Sequence, residues 1–497
     1  MESKVIFIAL SGAALGVVLF VLTVELAFSS RDRFDTQKVI SAWAPYRYAF
    51  LLVLGWGIYF LAFYPGMMSA DSLDQWQQML TGQYIDHHPP FHTLTIWLLT
   101  RLYLSPATVA AAQLLALAVV SGLCFAFLES LGVERWLLWV ACCIYAFSPV
   151  NGTMVVTLWK DVPFSIAVVG FTLLIAKILW SSGEWLSKPR NSIVLGMVCA
   201  LVMLFRYDGL PIGVGVLLLL IAVYPKRWKN GLLSVVVCCL LYLGVRGPLY
   251  QYVGVRAPSQ SSGEAVSYNA AGPGEMANMS LSLYKMVLYV RPDTSAEKLL
   301  NQISVTGNWS CKIWRKLNPQ WRETDMDPSL AFTHVVSNAL RYLPRILLYD
   351  YRCLRSMEWI IYDPYGDVYN PSHAEYWIDP NPFGITPASK LPAFQKMVSA
   401  WVSRTAHDPS VSWIVWRPAT FLYLHLFVVA VLLLRRRDIR ISLLAAPILI
   451  QSVMFSLIPL APNFRYHYAV YLVSLMFWPL LFSASVRDKA GNGAEDE

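Results

Sequence analysis

The stretch ATVAAAQLLALAVVSGLCFAFL, residues 107–128, decides the fold. It holds no charged side chain, and a helix rising about 1.5 Å per residue makes it long enough to cross a hydrocarbon layer about 30 Å thick. Outward from it, comparable apolar runs occupy 5–28, 48–64, 134–150, 162–180, 191–205, 210–224, 231–249, 412–434, 441–460 and 466–485. With 107–128 they predict a bundle of about eleven transmembrane helices. The rest of the 497-residue chain agrees: 56% is hydrophobic and 14% charged, against a usual charged share of about 25%. A mean hydropathy of +0.48 fits the same class. These figures exclude a soluble enzyme, a disordered chain and a disulfide miniprotein, and predict an all-α polytopic membrane protein.

The loops between the runs alternate in character. One set carries Arg31, Arg33, Lys38 and Arg47, then Arg135, Lys188, Arg190, Lys226, Arg227 and Lys229, then Arg435, Arg436, Arg437, Arg440, Arg487 and Lys489. The positive-inside rule places these loops in the cytoplasm, so the net charge of +8 reads as topology and not as nucleic-acid affinity. The other set, 65–106, 151–161, 206–209, 250–411 and 461–465, then faces outward. Four parts follow: an N-terminal transmembrane module 1–249 with first outward loop 65–106, an extracytoplasmic region 250–411, C-terminal transmembrane helices in 412–485, and a cytoplasmic tail 486–497. Within the first outward loop, 72–80 reads as a short helix and 91–104 as an amphipathic interfacial one. Six cysteines (Cys124, Cys142, Cys143, Cys199, Cys238 and Cys239) lie in apolar runs, where a thiol behaves as a small buried hydrophobe. Cys311 and Cys353 remain as a pair that an oxidising compartment would allow to bond.

Chemistry is sought in the outward loops, which hold the acidic, His and Arg residues that topology leaves unexplained. The first loop opens Tyr64-Pro65-Gly66-Met67-Met68-Ser69-Ala70-Asp71-Ser72-Leu73-Asp74-Gln75. A carboxylate fixed at the membrane surface can take a proton from a hydroxyl or hold a divalent cation; Asp71 also suits a plainer role, capping the short helix. Asp86-His87-His88-Pro89-Pro90-Phe91-His92 offers imidazoles for metal or proton transfer, and equally an extended turn that starts a helix at Pro90. Trp159-Lys160-Asp161-Val162-Pro163-Phe164 places a Lys-Asp pair at a span entrance, where Lys160 can snorkel and Asp161 favours the helix start. Arg206, in Phe205-Arg206-Tyr207-Asp208-Gly209, and Arg465, in Pro462-Asn463-Phe464-Arg465-Tyr466-His467-Tyr468, lie on the outward side against the positive-inside bias. A guanidinium there binds phosphate in a bidentate fork or pairs with a carboxylate such as Asp208.

The Pro65-Gly66-x-x-Ser69-x-Asp71-Ser72 and His88-Pro89-Pro90 stretches, the Trp159-Lys160-Asp161-Val162-Pro163-Phe164 loop and the late outward Arg465 together resemble the polyprenyl-phosphate-sugar glycosyltransferases of the GT-C superfamily, in particular its bacterial members. The resemblance covers the membrane-embedded two-thirds of the chain and leaves 250–411 unmatched. One departure is the apolar run 5–28, which precedes the span leading to Asp71, where the superfamily usually begins with that span. The resemblance implies a GT-C-like bundle with juxtamembrane helices in the first outward loop, working in the cell (inner or plasma) membrane. Its activity would be transfer of a sugar from a polyprenyl-phosphate donor to an envelope glycan, lipid or protein on the non-cytoplasmic face. It implies Asp71 and Asp161 as catalytic residues, and Arg465, Arg206 and Lys160 as ligands of the donor phosphate. Asp74, His87 and His88 are candidates for contacts with acceptor or metal, the metal being a divalent cation such as Mg or Mn. Two other classes stay open at this point: a secondary transporter or lipid flippase, and a scaffold of an envelope-assembly complex.

Overall fold

The computed structural model describes residues 40–256, 377–457 and 464–483. The run 5–28, most of 250–411 with Cys311 and Cys353, and the tail from 484 lie outside the described residues. Of the described residues, 79% are helical. Sustained apolarity sets the longest helices, and Pro at their first turn, where no N–H is needed, sets many of their starts. In order they are α1 Ala44–Ala62, α2 Ala70–Thr81, α3 Pro90–Thr100, α4 Pro106–Ser130, α5 Arg135–Phe147, α6 Pro149–Val155, α7 Asp161–Trp180, α8 Pro189–Phe205, α9 Gly209–Val223, α10 Trp228–Gly244 and α11 Tyr250–Val253. After the undescribed stretch come α12 Pro392–His407, α13 Pro409–Val415, α14 Pro418–Arg436, α15 Ala446–Leu457 and α16 Tyr468–Phe477.

Among the described residues, four helical stretches are long and apolar enough to cross a membrane: 106–130, 161–180, 225–253 and 410–436. The molecule is therefore a helical membrane protein. The remaining expected spans are shorter or broken. The run 134–150 bends by 57° between α5 and α6, at Ser148-Pro149, because Pro149 cannot donate to the preceding turn. Within the long stretch 225–253, which contains the expected 231–249, Pro248 gives a π-helical segment, Val245–Leu249, without ending the span. The runs 441–460 and 466–485 are each interrupted by 3-10 turns.

Side-chain contacts sort the loops into two ends. At one, Glu129, 4% exposed, accepts from Arg47, from Arg135 Nε at 2.7 Å and from Tyr48 Oη at 3.1 Å. Phe127 packs on Trp180 with ring centres 6.3 Å apart, Arg436 stacks on Trp180 at 4.8 Å, and Arg440 on Tyr224 at 5.7 Å. Arg435 reaches the Leu481 carbonyl at 2.7 Å, and Arg227 pairs with Glu184. The basic residues of four different loops thus share one end. The 20 residues of α7, about 30 Å of helix, separate it from the end that carries Asp161.

Close helix contact in a bilayer depends on small residues, since lipid offers apolar side chains nothing they lack. Gly122 of α4 illustrates this: a Cβ there would fall 2.5 Å from the Pro45 carbonyl oxygen and 3.0 Å from Ala49 Cβ of α1. Gly122→Val is expected to push α1 off α4 and destabilise the fold by about 1–3 kcal/mol, seen as a lower thermal midpoint in detergent by Trp fluorescence. An unchanged midpoint would mean that the α1–α4 approach is not the tight joint inferred here.

Candidate functional site

The site begins with backbone. Pro65-Gly66 turns the chain off α1; Gly66 has φ +127°, a conformation open to Gly, and a Cβ there would lie 2.9 Å from Leu158 Cδ1. The next residues then pair on both sides. Met67 N donates to Val156 O and Leu158 N to Met67 O, both 2.9 Å; Met68 N donates to Trp377 O at 2.9 Å and Asp379 N to Met68 O at 3.0 Å. Three chain segments far apart in sequence are thereby held side by side. Trp377 keeps a left-handed backbone, φ +58°, rare for a bulky residue, while its Nε1 donates to Phe63 O at 3.0 Å. From this frame Ser72 Oγ donates to Leu158 O at 2.9 Å and Trp159 Nε1 to Ser69 Oγ at 2.7 Å, tying the start of α2 to the start of α7.

Asp71 and Asp161 sit at those two helix starts. Helix α2 begins at Ala70, two residues before the expected 72, so Asp71 lies in its first turn; Ser69 is the cap residue and makes no side-chain cap. The carboxyl is spent elsewhere. Its Oδ2 takes Arg465 at 2.8 Å, and His88 Nε2 lies 3.9 Å from Oδ1. Lys160 Nζ meets His88 Nδ1 at 2.5 Å. Lys160 is buried and turned inward, not snorkelling as a surface anchor. Burial pushes the Asp71 carboxyl up, but the charges of Arg465, His88 and Lys160 and the Arg465 hydrogen bond outweigh it. The group ends far below the usual carboxylate range. Asp71 is nonetheless 22% exposed.

The second half of the site is drier. Asp161, 1% exposed, accepts Arg206 on Oδ1, and Arg206 Nε donates to Asp208 Oδ1 at 2.8 Å. Burial opposes the Arg206 charge, while Asp208 and Asp161 more than offset it and raise the guanidinium further. Tyr466 joins the halves: its ring lies 5.1 Å from the Arg206 guanidinium carbon and 5.0 Å from that of Arg465, which also stacks on Trp159 at 5.0 Å. The Asp161 charge is felt at Arg465 as well. Asp161 Oδ2 and Asp208 Oδ2 are buried without a hydrogen-bond partner.

The structure therefore brings together Asp71, Asp161, Arg465, Arg206, Lys160 and His88. Asp74 and His87 stand at the edge. Asp74 accepts Gln78 Nε2 at 2.8 Å, and burial raises its carboxyl, with Gln78 and His87 pulling the other way and Asp71 adding to the rise. His87 packs on His88 with ring centres 4.6 Å apart. His92 belongs to the core: it bonds Gln75 Oε1 at 2.9 Å, and burial with the nearby Lys160 and His88 lowers it to about 3, so it is neutral. The His-His-Pro-Pro stretch does start a helix at Pro90, while His88 also enters the site. Sequence reasoning did not assign Asp208, Trp159, Tyr466 or the 377–379 segment to the site. Two of these had a visible signal: Asp208, two residues from Arg206, and Tyr466, next to Arg465 among aromatics.

Among the described residues, no three His, Cys, Asp or Glu side chains gather to hold a metal. Asp71 and Asp161 each face a guanidinium. No protein-family model, curated protein or solved structure matches the chain.

Proposed function

We propose that this protein is a membrane glycosyltransferase of GT-C type, with about eleven spans counting the short and broken helices, that moves a sugar from a polyprenyl phosphate to an envelope glycan, lipid or protein on the non-cytoplasmic face. The observation that carries the reading is the part-exposed Asp71 carboxylate against Arg465 and Lys160 with His88 between. That half holds one acid and two bases, a surplus of positive charge suited to a phosphate. The other half, Asp161 and Asp208 around Arg206, has the opposite surplus and two unpartnered carboxylate oxygens suited to sugar hydroxyls.

The reaction divides between them. The acceptor hydroxyl attacks the anomeric carbon, the bond from that carbon to the phosphate oxygen breaks, and the hydroxyl proton passes to Asp71. Charge builds on the departing polyprenyl phosphate, and Arg465 and Lys160 stabilise it in a partly water-excluded site. A carboxylate pinned by Arg465 is a weak base. When a donor phosphate shares Arg465 and Lys160, the pull on Asp71 weakens and its proton affinity rises toward the ordinary range, so the donor itself prepares the base.

The test is loss of labelled sugar from a polyprenyl-phosphate pool in liposomes containing the purified protein, with the label appearing in an added envelope acceptor. A pH series adds a sharper expectation. In the free enzyme Asp71 stays ionised far into acid; in the donor complex it protonates at higher pH. The acidic limb of kcat should therefore lie at higher pH than that of kcat/KM for the donor. Coincident limbs would remove Asp71 as a base released by the donor. Labelled donor that crosses the bilayer intact, with no transfer, would support a flippase instead.

A further inference from the structure

We propose that Cys199, Met203 and Cys238 form a binding site for one soft monovalent cation, Cu(I), between α8 and α10. Cys199 and Met203 are one turn apart and so share a face of α8, and Cys238 faces them from α10. Cys238 Sγ lies 3.2 Å from Cys199 Sγ and 3.2 Å from Met203 Sδ, and Cys199 Sγ lies 4.0 Å from Met203 Sδ. All three residues are buried. Gly213 of α9 leaves the room: a Cβ there would fall 2.7 Å from Cys199 Sγ and 3.1 Å from Met203 Cγ.

Two thiols and a thioether, with no oxygen or nitrogen donor among them, select a soft ion; a thioether does not suit magnesium, calcium or manganese. A metal about 2.3 Å from three sulfurs in a plane needs them about 4.0 Å apart, so one edge already fits and two need open by less than 1 Å, roughly. The charge balance also favours a monovalent ion. One thiol gives up its proton as the Cu(I)–thiolate bond forms, the proton leaves to water, and the occupied site is neutral. A divalent ion would leave a net charge in hydrocarbon unless both thiols ionised. The consequence is mechanical: in the most apolar part of the 225–253 stretch that contains α10 only 17% is buried inside the protein, and the metal would add a tie between that helix and α8, whose last residue, Phe205, precedes Arg206.

The test needs no sugar transfer, so its outcome is separate from that of the glycosyltransferase reading. Protein in detergent under reducing, oxygen-free conditions, with Cys124, Cys142, Cys143, Cys239, Cys311 and Cys353 changed to Ala, is titrated with Cu(I) against bicinchoninate. One Cu(I) should be retained, with three sulfur neighbours by X-ray absorption. Cys199→Ser or Cys238→Ser should weaken it by about a hundredfold or more, and Met203→Leu by about tenfold. Should the six-alanine protein not fold, the wild-type chain and its Cys199→Ser, Cys238→Ser double variant carry the same comparison, read as Cu(I) retained and as the rise in thermal midpoint it causes. No Cu(I) retained, equal retention without Cys199 and Cys238, or a two-sulfur ion indifferent to Met203 would overturn the proposal.

Discussion

Asp71→Asn is expected to leave the protein folded and to lower sugar transfer by about 10²–10⁴-fold, the usual worth of a positioned proton acceptor. The amide keeps the shape of the carboxyl and can still accept from Arg465, and Lys160 and His88 keep their own contact. Stability should change little because the position is partly exposed. The change in donor affinity is the discriminating part. With the Asp71 charge gone, Arg465 and Lys160 are no longer shared, so the donor phosphate should bind at least as tightly as in the wild type. A fall in kcat with an equal or lower KM for donor marks the base. Transfer near the wild-type rate would remove Asp71 from the chemistry, and loss of donor binding would make it a structural partner of Arg465.

Arg206→Met should act in the opposite sense, on the fold before the reaction. It would strand two carboxylates, Asp161 and Asp208, in a part of the site with almost no water contact. Removing one member of a buried ion pair costs about 3–5 kcal/mol, because the remaining charge has neither partner nor solvent. The variant should therefore unfold at much lower temperature in detergent, and adding Asp161→Asn and Asp208→Asn should recover part of the loss. Arg465→Met is the contrast. Its partner Asp71 retains Lys160, His88 and some water, so the fold should hold while transfer drops by about 10²–10³-fold. If both Arg variants proved equally stable, the two halves of the site would not differ in dryness as described.

Asp71 also carries a stability term whose sign is fixed. Its folded proton affinity lies below that of an unfolded carboxyl, so the stabilisation is complete above the ordinary carboxylate range and fades as pH falls through and below it. At this end of the molecule acid should protonate Asp74, whose carboxyl burial raises, well before Asp71, which stays ionised far into acid.

The class of fold was legible because apolarity over twenty residues is a property of composition that needs no partner. Where a run stops being one straight helix is less visible. Ser148-Pro149 was there to be read, yet it lies near the end of an apolar run, so hydropathy alone carried 134–150 through as a single straight span; Pro248, by contrast, leaves 225–253 one continuous stretch. The site divides the same way. Asp71, Asp161, Arg206 and Arg465 stood out as ions on the less basic loops, and ions at such places need partners. Which partners they take depends on contacts across 45 residues for Arg206 and Asp161, and on far longer separations for Arg465. A capping role for Asp71 was reasonable from the local pattern. It lost because Arg465, nearly four hundred positions away, offers a charge that the first turn of α2 does not.

The stretch between Arg256 and Trp377 is stitched down at both feet to the loop that carries Asp71: Arg256 exchanges backbone hydrogen bonds with Tyr84 and Asp86, and Trp377 and Asp379 with Met68. A shift of backbone at Arg256 or at Trp377 would therefore be passed to the Asp71 carboxylate through two short lengths of main chain.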